Sequence, residues 1–106
     1  MAKTAIIAAS SLGDNQIVAG VTGKRIRVLG FVLSFSGSTN AKWRDGTTDL
    51  TGLEYGAAGA VNVAPVTPSV LASGIGWFST SQGNALQLNL SAAVAVGGFV
   101  LYDLVS

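Results

Sequence analysis

The chain has no cysteine and no histidine among its 106 residues. The absence of cysteine excludes a disulfide framework and thiolate metal sites. The absence of histidine excludes the Ser-His-Asp and Cys-His nucleophile systems and the usual imidazole zinc site. The chemistry open to this chain is therefore narrow before any motif is considered.

Acidic residues are also scarce, and their spacing does not match a metal-binding loop. They are Asp14, Asp45, Asp49, Glu54 and Asp103. General acid–base catalysis needs a positioned titratable group, and nothing in the sequence singles one out. We therefore predict a protein that is not an enzyme, with no catalytic residue, no bound metal and no cofactor.

Charge is confined to one half of the chain. Charged residues make up 10% of the sequence, against about 25% in ordinary soluble domains. The 48 residues from Tyr55 to Tyr102 carry no charge, and every charge except that of Asp103 lies between Lys3 and Glu54. A monomer with so few charges is poorly protected against association. The sequence therefore predicts a subunit of an assembly.

Neither nucleic acid nor a membrane is an expected partner. The net charge of +1 is too small to steer the chain onto nucleic acid. The longest apolar run, Ala92 to Tyr102, falls short of the roughly 20 residues that a membrane helix needs. The patch from Ala5 to Ala9 is shorter than a signal-peptide core of about 7–15 residues. Residues 1–12 are therefore interpreted as a mature N-terminus that forms an edge strand or an extended arm.

The remaining pattern is that of an all-β protein. Fourteen glycines punctuate short runs rich in Val, Ile, Leu and Thr, which predicts an antiparallel sandwich or a barrel. We expect one domain over residues 1–106 with about eight to nine strands. The predicted strands are Thr4–Ala9, Gln16–Val21, Lys24–Phe35, Ala41–Arg44, Thr47–Leu50, Val61–Val63, Trp77–Thr80, Ala85–Leu90 and Val94–Val105.

Several local patterns refine this prediction. The run from Val28 to Leu33 is apolar on both faces, which is typical of a strand at the centre of a sandwich. Leu12–Asn15 has the residues of a turn, and Asp45-Gly46 predicts a hairpin with a type I′ turn. Gly97-Gly98 indicates a bulge or a close backbone approach. Gly56–Gly76 contains both prolines and is predicted to be irregular, as functional or partner-held loops often are.

Several segments resemble small structural proteins of tailed bacteriophages, of the capsid decoration (cement) type. They are Gly23–Gly30, Trp43–Thr47, Gly76–Thr80, Gly83–Ser91 and Val96–Tyr102. The resemblance covers most of Asp14 to Tyr102 and is weakest over Gly56 to Ile75. It implies a β-sandwich or jelly-roll-like subunit, commonly trimeric, that binds the major capsid protein on the outer capsid surface of the virion. It implies no catalytic residues.

Lys24, Arg25 and Arg27 form the densest basic cluster in the sequence. One interpretation is a foot that pairs with acidic groups on a shell protein or on a neighbouring subunit. The other is a charged strand start that protects an exposed edge. In Lys42-Trp43-Arg44, strand alternation places Trp43 on the side opposite to the two cations, so we expect a core tryptophan rather than a base-stacking site.

The uncharged half supplies the other candidate contacts with a subunit or the capsid. They are Tyr55, Val61, Val63, Val66, Val70, Trp77 and Phe78. Trp77 and Phe78 are neighbours on a strand, so one ring can lie in the core while the other lies at an interface; burial of both rings is the alternative.

The expected function is a decoration protein that clamps the capsid lattice. Two alternatives remain open. One is a receptor-binding or fibre-tip module that uses Gly56–Gly76 as its recognition surface. The other is an adhesin-like or carbohydrate-binding domain unrelated to phages.

Overall fold

The computed structural model describes residues 2–106, which form ten strands and one short helix. The elements are β1 (Lys3–Ala9), β2 (Gly13–Val18), β3 (Arg25–Phe35), β4 (Thr39–Asp45), β5 (Thr48–Asp49), β6 (Glu54–Gly56), β7 (Val61–Ala64), α1 (Pro68–Ala72), β8 (Phe78–Ser79), β9 (Leu86–Leu90) and β10 (Val96–Val105). The predicted all-β fold is confirmed. The strand count exceeds eight to nine because β6, which is three residues long and pairs with β4, was not predicted as a strand.

The strands form two antiparallel sheets. The first sheet has the order β1-β10-β3-β7, and β8 also pairs with β3. The second sheet has the order β2-β9-β4-β5, and β6 also pairs with β4. The N-terminal segment, expected as an edge strand or an arm, is the edge strand β1 of the first sheet.

The strand pairings follow the pattern of one long hairpin rolled around itself. β1 pairs with β10, β2 with β9, β3 with β7 and β8, and β4 with β5 and β6. The chain therefore doubles back at the turn between β4 and β5. Rolling this hairpin places β10 beside β3 and β9 beside β4. Two packed sheets connected in this way form a jelly roll.

Strand alternation builds the core between the two sheets. In β9 the three leucines are buried, while Gln87 and Asn89 point outward. Trp43 of β4 is fully buried, and its ring centroid lies 5.3 Å from that of Phe31 on the opposite sheet. The prediction that Trp43 belongs to the core is therefore confirmed.

β3 lies inside the first sheet, between β10 on one side and β7 and β8 on the other. This confirms the central position predicted from its two apolar faces. The chain around α1 crosses the outer side of the sheet beside β3. There Arg27 Nη1 donates to the carbonyl oxygens of Leu71 at 3.2 Å and Ser73 at 2.5 Å.

The hairpin between β4 and β5 forms where the sequence predicted, but with a different turn. Asp45 pairs with Thr48, so the two central residues are Gly46 and Thr47 instead of Asp45 and Gly46. Only Gly46 has a positive φ, of 58°, as in a type II′ turn and not in a type I′ turn. Asp45 stays in the strand because its carboxylate accepts hydrogen bonds from Ser81 N at 2.8 Å and Ser81 Oγ at 2.9 Å.

The predicted turn at Leu12–Asn15 is wrong, because β2 begins at Gly13 and ends at Val18. The Asn15 amide organises the preceding residues instead. Its Nδ2 donates to Ser11 O at 2.9 Å, and its Oδ1 accepts from Ser11 N at 3.3 Å. The bend therefore lies before Gly13, and the strand predicted to reach Val21 ends earlier.

The segment Gly56–Gly76 is more ordered than predicted. It contributes β7 to the first sheet, which confirms the short strand expected near Val61. It also contains α1, which the sequence analysis did not predict. Thr67 is the N-cap, its side chain accepts from Val70 N at 3.2 Å, and Pro68 occupies the first turn. A capping residue followed by proline is a helix-start signal, so this helix had a readable signature.

The glycine pair in β10 is a close backbone approach. Gly98 has a φ of 128°, and a Cβ there would overlap the carbonyl oxygen of Val32 on β3. The bulge itself lies further along, between Leu101 and Tyr102. The close-approach interpretation of Gly97-Gly98 is therefore the correct one.

Gly98→Ala should destabilise the fold by about 3 kcal/mol, because a side chain would meet both an unfavourable φ and the β3 backbone. The matched control is Gly97→Ala, since a Cβ at Gly97 would have its nearest neighbour at 3.8 Å. We expect that control to change the free energy of unfolding by less than about 1 kcal/mol. Urea unfolding of both variants is the measurement, and equal effects would contradict the close approach.

Candidate interaction surfaces

The outer side of the second sheet is polar and charged. Its outward residues on β2, β4 and β9 include Asp14, Gln16, Asn40, Lys42, Arg44, Gln87 and Asn89. This surface is called the charged face. It contains Asp14, Lys42 and Arg44 from the charge-rich half of the sequence, brought together by the pairing of β9 between β2 and β4.

An ion-pair network organises the charged face. Arg44 Nη1 lies 3.0 Å from Asp14 Oδ2, and Arg44 Nε lies 2.9 Å from Asp49 Oδ1. Lys42 Nζ lies 3.0 Å from Asp49 Oδ2. The hydrogen bond from Lys42 and the nearby Arg44 charge lower the pKa of Asp49 below its ordinary value, against a smaller effect of burial. Such exposed pairs contribute little stability individually, but they keep this face hydrated.

Away from Arg25, Arg27 and Asp103 near one end of β3 and β10, the outer side of the first sheet has the opposite character. Ile6, Phe99, Val32 and Val63 stand directly opposite one another across β1, β10, β3 and β7. Three of these side chains are well exposed: Ile6 by 81%, Val63 by 59% and Phe99 by 48%. They form a continuous apolar row with no charged member.

Two further rows extend this surface without adding charge. One contains Ala8, Gly97, Ser34 and Val61, and the other contains Thr4, Leu101 and Gly30, beside which Val66 lies. The three rows together are called the apolar face. Four strands spaced about 4.8 Å apart and three rows spaced about 7 Å apart give a flat area of about 400 Å². Contiguous apolar patches of this size are often functional in soluble proteins.

The predicted basic cluster is divided by the structure. Arg27 forms a bidentate pair with Asp103, with Nε–Oδ1 and Nη2–Oδ2 distances of 2.9 and 2.7 Å. This pair lowers the pKa of Asp103 below its ordinary value. Because Arg27 also binds two carbonyl oxygens near α1, its guanidinium is fully occupied within the chain.

The other two cations of the cluster have fewer partners. Lys24 Nζ donates to Ser106 Oγ at 3.0 Å. Within residues 2–106, Arg25 has neither an ion pair nor a side-chain hydrogen bond. Of the three predicted basic contact residues, Arg25 is therefore the one whose guanidinium remains available.

Of the neighbouring aromatic residues Trp77 and Phe78, one ring lies in the core and the other lies at the surface. Phe78 packs into the core, with its ring centroid 6.0 Å from that of Trp43. Trp77 is 43% exposed, and its Nε1 donates to Pro65 O at 2.9 Å. Trp77 is thus held in a fixed position at the surface.

The other predicted contact residues of the uncharged half also separate into groups. Val61, Val63 and Val66 are exposed at the apolar face, whereas Val70 is buried. Tyr55 is exposed but pairs with the outward Asn40, so it lies on the charged face. The three valines lie together, whereas Tyr55 lies on the opposite side of the sandwich.

Part of the apolar face was not predicted, because Val94–Val105 was expected as a strand and none of its residues as a contact. Phe99 and Leu101 alternate with the buried Val100. The presence of apolar residues on both faces of this strand was therefore the sequence pattern that could have revealed the apolar face. What the sequence alone did not supply was the register that aligns Phe99 with Ile6 and Val32.

A cleft opens at one side of the sandwich, between the β7–β8 edge of the first sheet and the β5–β6 edge of the second. Its volume is about 310 Å³, and it is lined by Phe31, Leu50, Thr51, Glu54, Ala64, Trp77 and Phe78. We call it the edge cleft. The Glu54 carboxylate is the single charged group among these lining residues.

Glu54 is poorly solvated in the edge cleft. Its Oε2 is buried and has no hydrogen-bond partner among the described residues. Burial raises the pKa of Glu54 above its ordinary value, and a smaller contribution from Asn62 acts in the opposite direction. A carboxylate with one buried oxygen that lacks a partner is costly unless a ligand or partner compensates it.

Residues 2–106 contain no group of three or more His, Cys, Asp or Glu side chains arranged to hold a metal ion. Within the same residues, the one helix is far shorter than a membrane span. No protein-family model, curated protein or solved structure matches the chain.

Glu54→Gln should stabilise the dilute protein at neutral pH and have little effect in acid. Because the pKa of Glu54 is raised on folding, the ionised carboxylate costs stability as the pH rises from about 4.5 through the folded-state value. Urea unfolding at about pH 4 and pH 8 measures the difference. A variant that is equally stabilised at both pH values would contradict the desolvation of Glu54.

Proposed function

We propose that this chain is a non-enzymatic structural protein that acts as one subunit of a multi-copy assembly. The resemblance to capsid decoration proteins makes the proposal more specific: the chain is a decoration protein on the outer capsid lattice of a tailed bacteriophage. Its partners would be further copies of itself, in a trimer by resemblance, and the major capsid protein.

One observation carries the proposal: the outer side of the second sheet is charged, whereas the apolar face, away from Arg25, Arg27 and Asp103 on the same sheet, carries no charge. The charged face has an ion-pair network suited to water or to a polar neighbour. The apolar face exposes a row of large uncharged side chains across four strands. Depletion of charge is typical of the core of a protein–protein interface, so the apolar face is the surface that a neighbouring subunit would cover.

The size of the apolar face suggests how such an assembly would gain strength. Two copies meeting through about 400 Å² each would bury about 800 Å², below the 1,200–2,000 Å² of stable interfaces. A single contact is therefore weak. A subunit that binds several neighbours at once gains from effective concentration, and preferential binding to the assembled lattice stabilises that lattice by mass action.

The alternative function is a receptor-binding or fibre-tip module. It would use Gly56–Gly76 as an adaptable recognition surface. That segment is tied to the first sheet by β7 and by the two hydrogen bonds from Arg27. Because an adaptable loop needs freedom that these contacts remove, the observations favour the lattice subunit.

The copy number in purified virions distinguishes these two functions. Lattice decoration requires on the order of hundreds of copies per particle, whereas a tail or fibre position requires about a dozen or fewer. Quantitative mass spectrometry against the major capsid protein gives the ratio. A count of about a dozen would overturn decoration and favour the fibre-tip module.

Phe99→Asp should weaken self-association at least tenfold, because it introduces a charge at the centre of the apolar face. The matched control is Gln87→Asp, which places the same charge at an outward position of the charged face and should leave association unchanged. Sedimentation velocity over a concentration series is the measurement, with thermal unfolding to show that both variants fold. Equal association constants for the two variants would count against the apolar face, and a wild-type chain that stays monomeric would overturn the assembly proposal.

A further inference from the structure

Nearly every acidic side chain of the described residues has a partner within the chain. Asp14 and Asp49 pair with Arg44, and Asp103 pairs with Arg27. Asp45 accepts two hydrogen bonds from Ser81. One oxygen of Asp45 and one of Glu54 are buried without a partner, and neither residue lies in an ion pair. Glu54 differs from Asp45 because burial raises the pKa of Glu54 and only a weaker hydrogen bond from Asn62 acts against that effect.

The surroundings of Glu54 define which chemical group could compensate the negative charge of its carboxylate. The edge cleft has aromatic walls from Trp77, Phe78 and Phe31 and no basic lining residue. Aromatic ring faces attract cations, and a carboxylate binds a guanidinium through two parallel hydrogen bonds. The volume of the edge cleft, about 310 Å³, is at the lower end of the range for small-ligand sites. A cleft of this size suits a single side chain. A planar cation on an apolar stem meets all of these requirements.

The chain itself carries such a group. Arg25 begins β3, where its position places it on the outer side of the first sheet, next to the fully buried Ile26. It is the one arginine without an ion pair among residues 2–106, since Arg27 and Arg44 are both engaged. An arginine matches a carboxylate flanked by aromatic rings better than a lysine does, because its guanidinium is planar and stacks.

We propose that the edge cleft is a receptor site for the Arg25 side chain of a second copy of this chain. The guanidinium would pair with the Glu54 carboxylate and stack against Trp77. This proposal rests on the proposed function, because it supplies a specific contact between subunits. The raised pKa of Glu54 agrees with it, since an incoming cation would compensate a carboxylate that burial otherwise disfavours.

The contact is head-to-tail, because Arg25 and the edge cleft are different parts of the surface. A contact of this kind generates a closed ring or an open filament, according to the rotation between neighbours. The contact between Arg25 and the edge cleft would also add buried surface to the small area of the apolar face. Two weak contacts of different chemistry would then hold each subunit, with the charged pair fixing which neighbours fit together.

A charge exchange tests the source of the cation. Arg25→Glu and Glu54→Arg should each weaken self-association at least tenfold in sedimentation velocity, because each places like charges together. An equimolar mixture of the two variants should recover pairwise association, since each variant supplies the charge that the other one's contact needs; a ring with an odd number of copies would keep one like-charge contact. Lys3→Glu is the control for net charge and should associate as the wild-type chain does. If the mixture does not recover, Arg25 is not the occupant.

A second measurement tests the chemistry of the edge cleft without depending on assembly. Intrinsic tryptophan fluorescence, to which the buried Trp43 also contributes, is titrated with N-acetyl-arginine methylamide on the Arg25→Glu variant, in which the proposed contact cannot form. The neutral citrulline analogue is the matched control. Saturable binding of the arginine probe that is lost in Glu54→Gln supports the site. Equal responses to both probes, or no response, would overturn it.

The two measurements also separate this proposal from the proposed function. If Phe99→Asp dissociates the assembly while the charge exchange has no effect, the assembly function stands and the Arg25 contact falls. If the wild-type chain is monomeric at all concentrations, both fall. If the arginine probe binds but the variant mixture does not recover association, the cation comes from another protein and the second-copy proposal is overturned.

Discussion

The insertion of β10 between β1 and β3 is the contact on which the rest of the structure depends. It joins the last strand to the first and to the longest one, and Gly98 allows the backbones to approach closely enough for this pairing. The same strand supplies Val100 to the core, Phe99 to the apolar face and Asp103 to Arg27. Core, outer surface and the anchoring of α1 therefore all form when this pairing forms. Since its partners are distant in sequence, we expect closure of the sandwich to be slow.

Rolling the hairpin converts a linear charge pattern into a two-sided molecule. The charge-rich half of the sequence supplies β2 and β4, and these strands place Asp14, Lys42 and Arg44 on one outer side. The last strand comes from the uncharged half and lies on the other sheet beside β1, whose outward residue at its centre is Ile6. Strand alternation sends the polar side chains of β9, such as Asn89, to the charged face instead. The uncharged stretch therefore serves both core and exterior, and only the register decides which residues remain exposed.

Much of this fold could be predicted because period-two patterns and turn residues report on local structure. The alternation around Trp43 placed its ring in the core, and Asp45-Gly46 located the hairpin. The turn type was wrong because Ser81, distant in sequence, holds Asp45 in the strand. The basic cluster was only partly understood, since the occupation of Arg27 by Asp103 depends on the pairing of β3 with β10. The edge cleft was not predicted at all, because Glu54 and Trp77 meet only when the two sheets pack.

The weakness of each contact surface is consistent with a subunit that must remain soluble before it assembles. An apolar face of about 400 Å² is too small to hold two free chains together firmly, and the ion pairs of the charged face keep the opposite side hydrated. A long-lived assembly would therefore need at least two different surfaces to be covered together, and multivalent binding supplies that condition. The unpartnered Oε2 of Glu54 fits the proposed contact, because a neighbour that brought a cation to it would offset a cost that the free chain carries. In this view, the scarcity of charge lets neighbouring copies approach, and the few unpaired charges that remain determine their orientation.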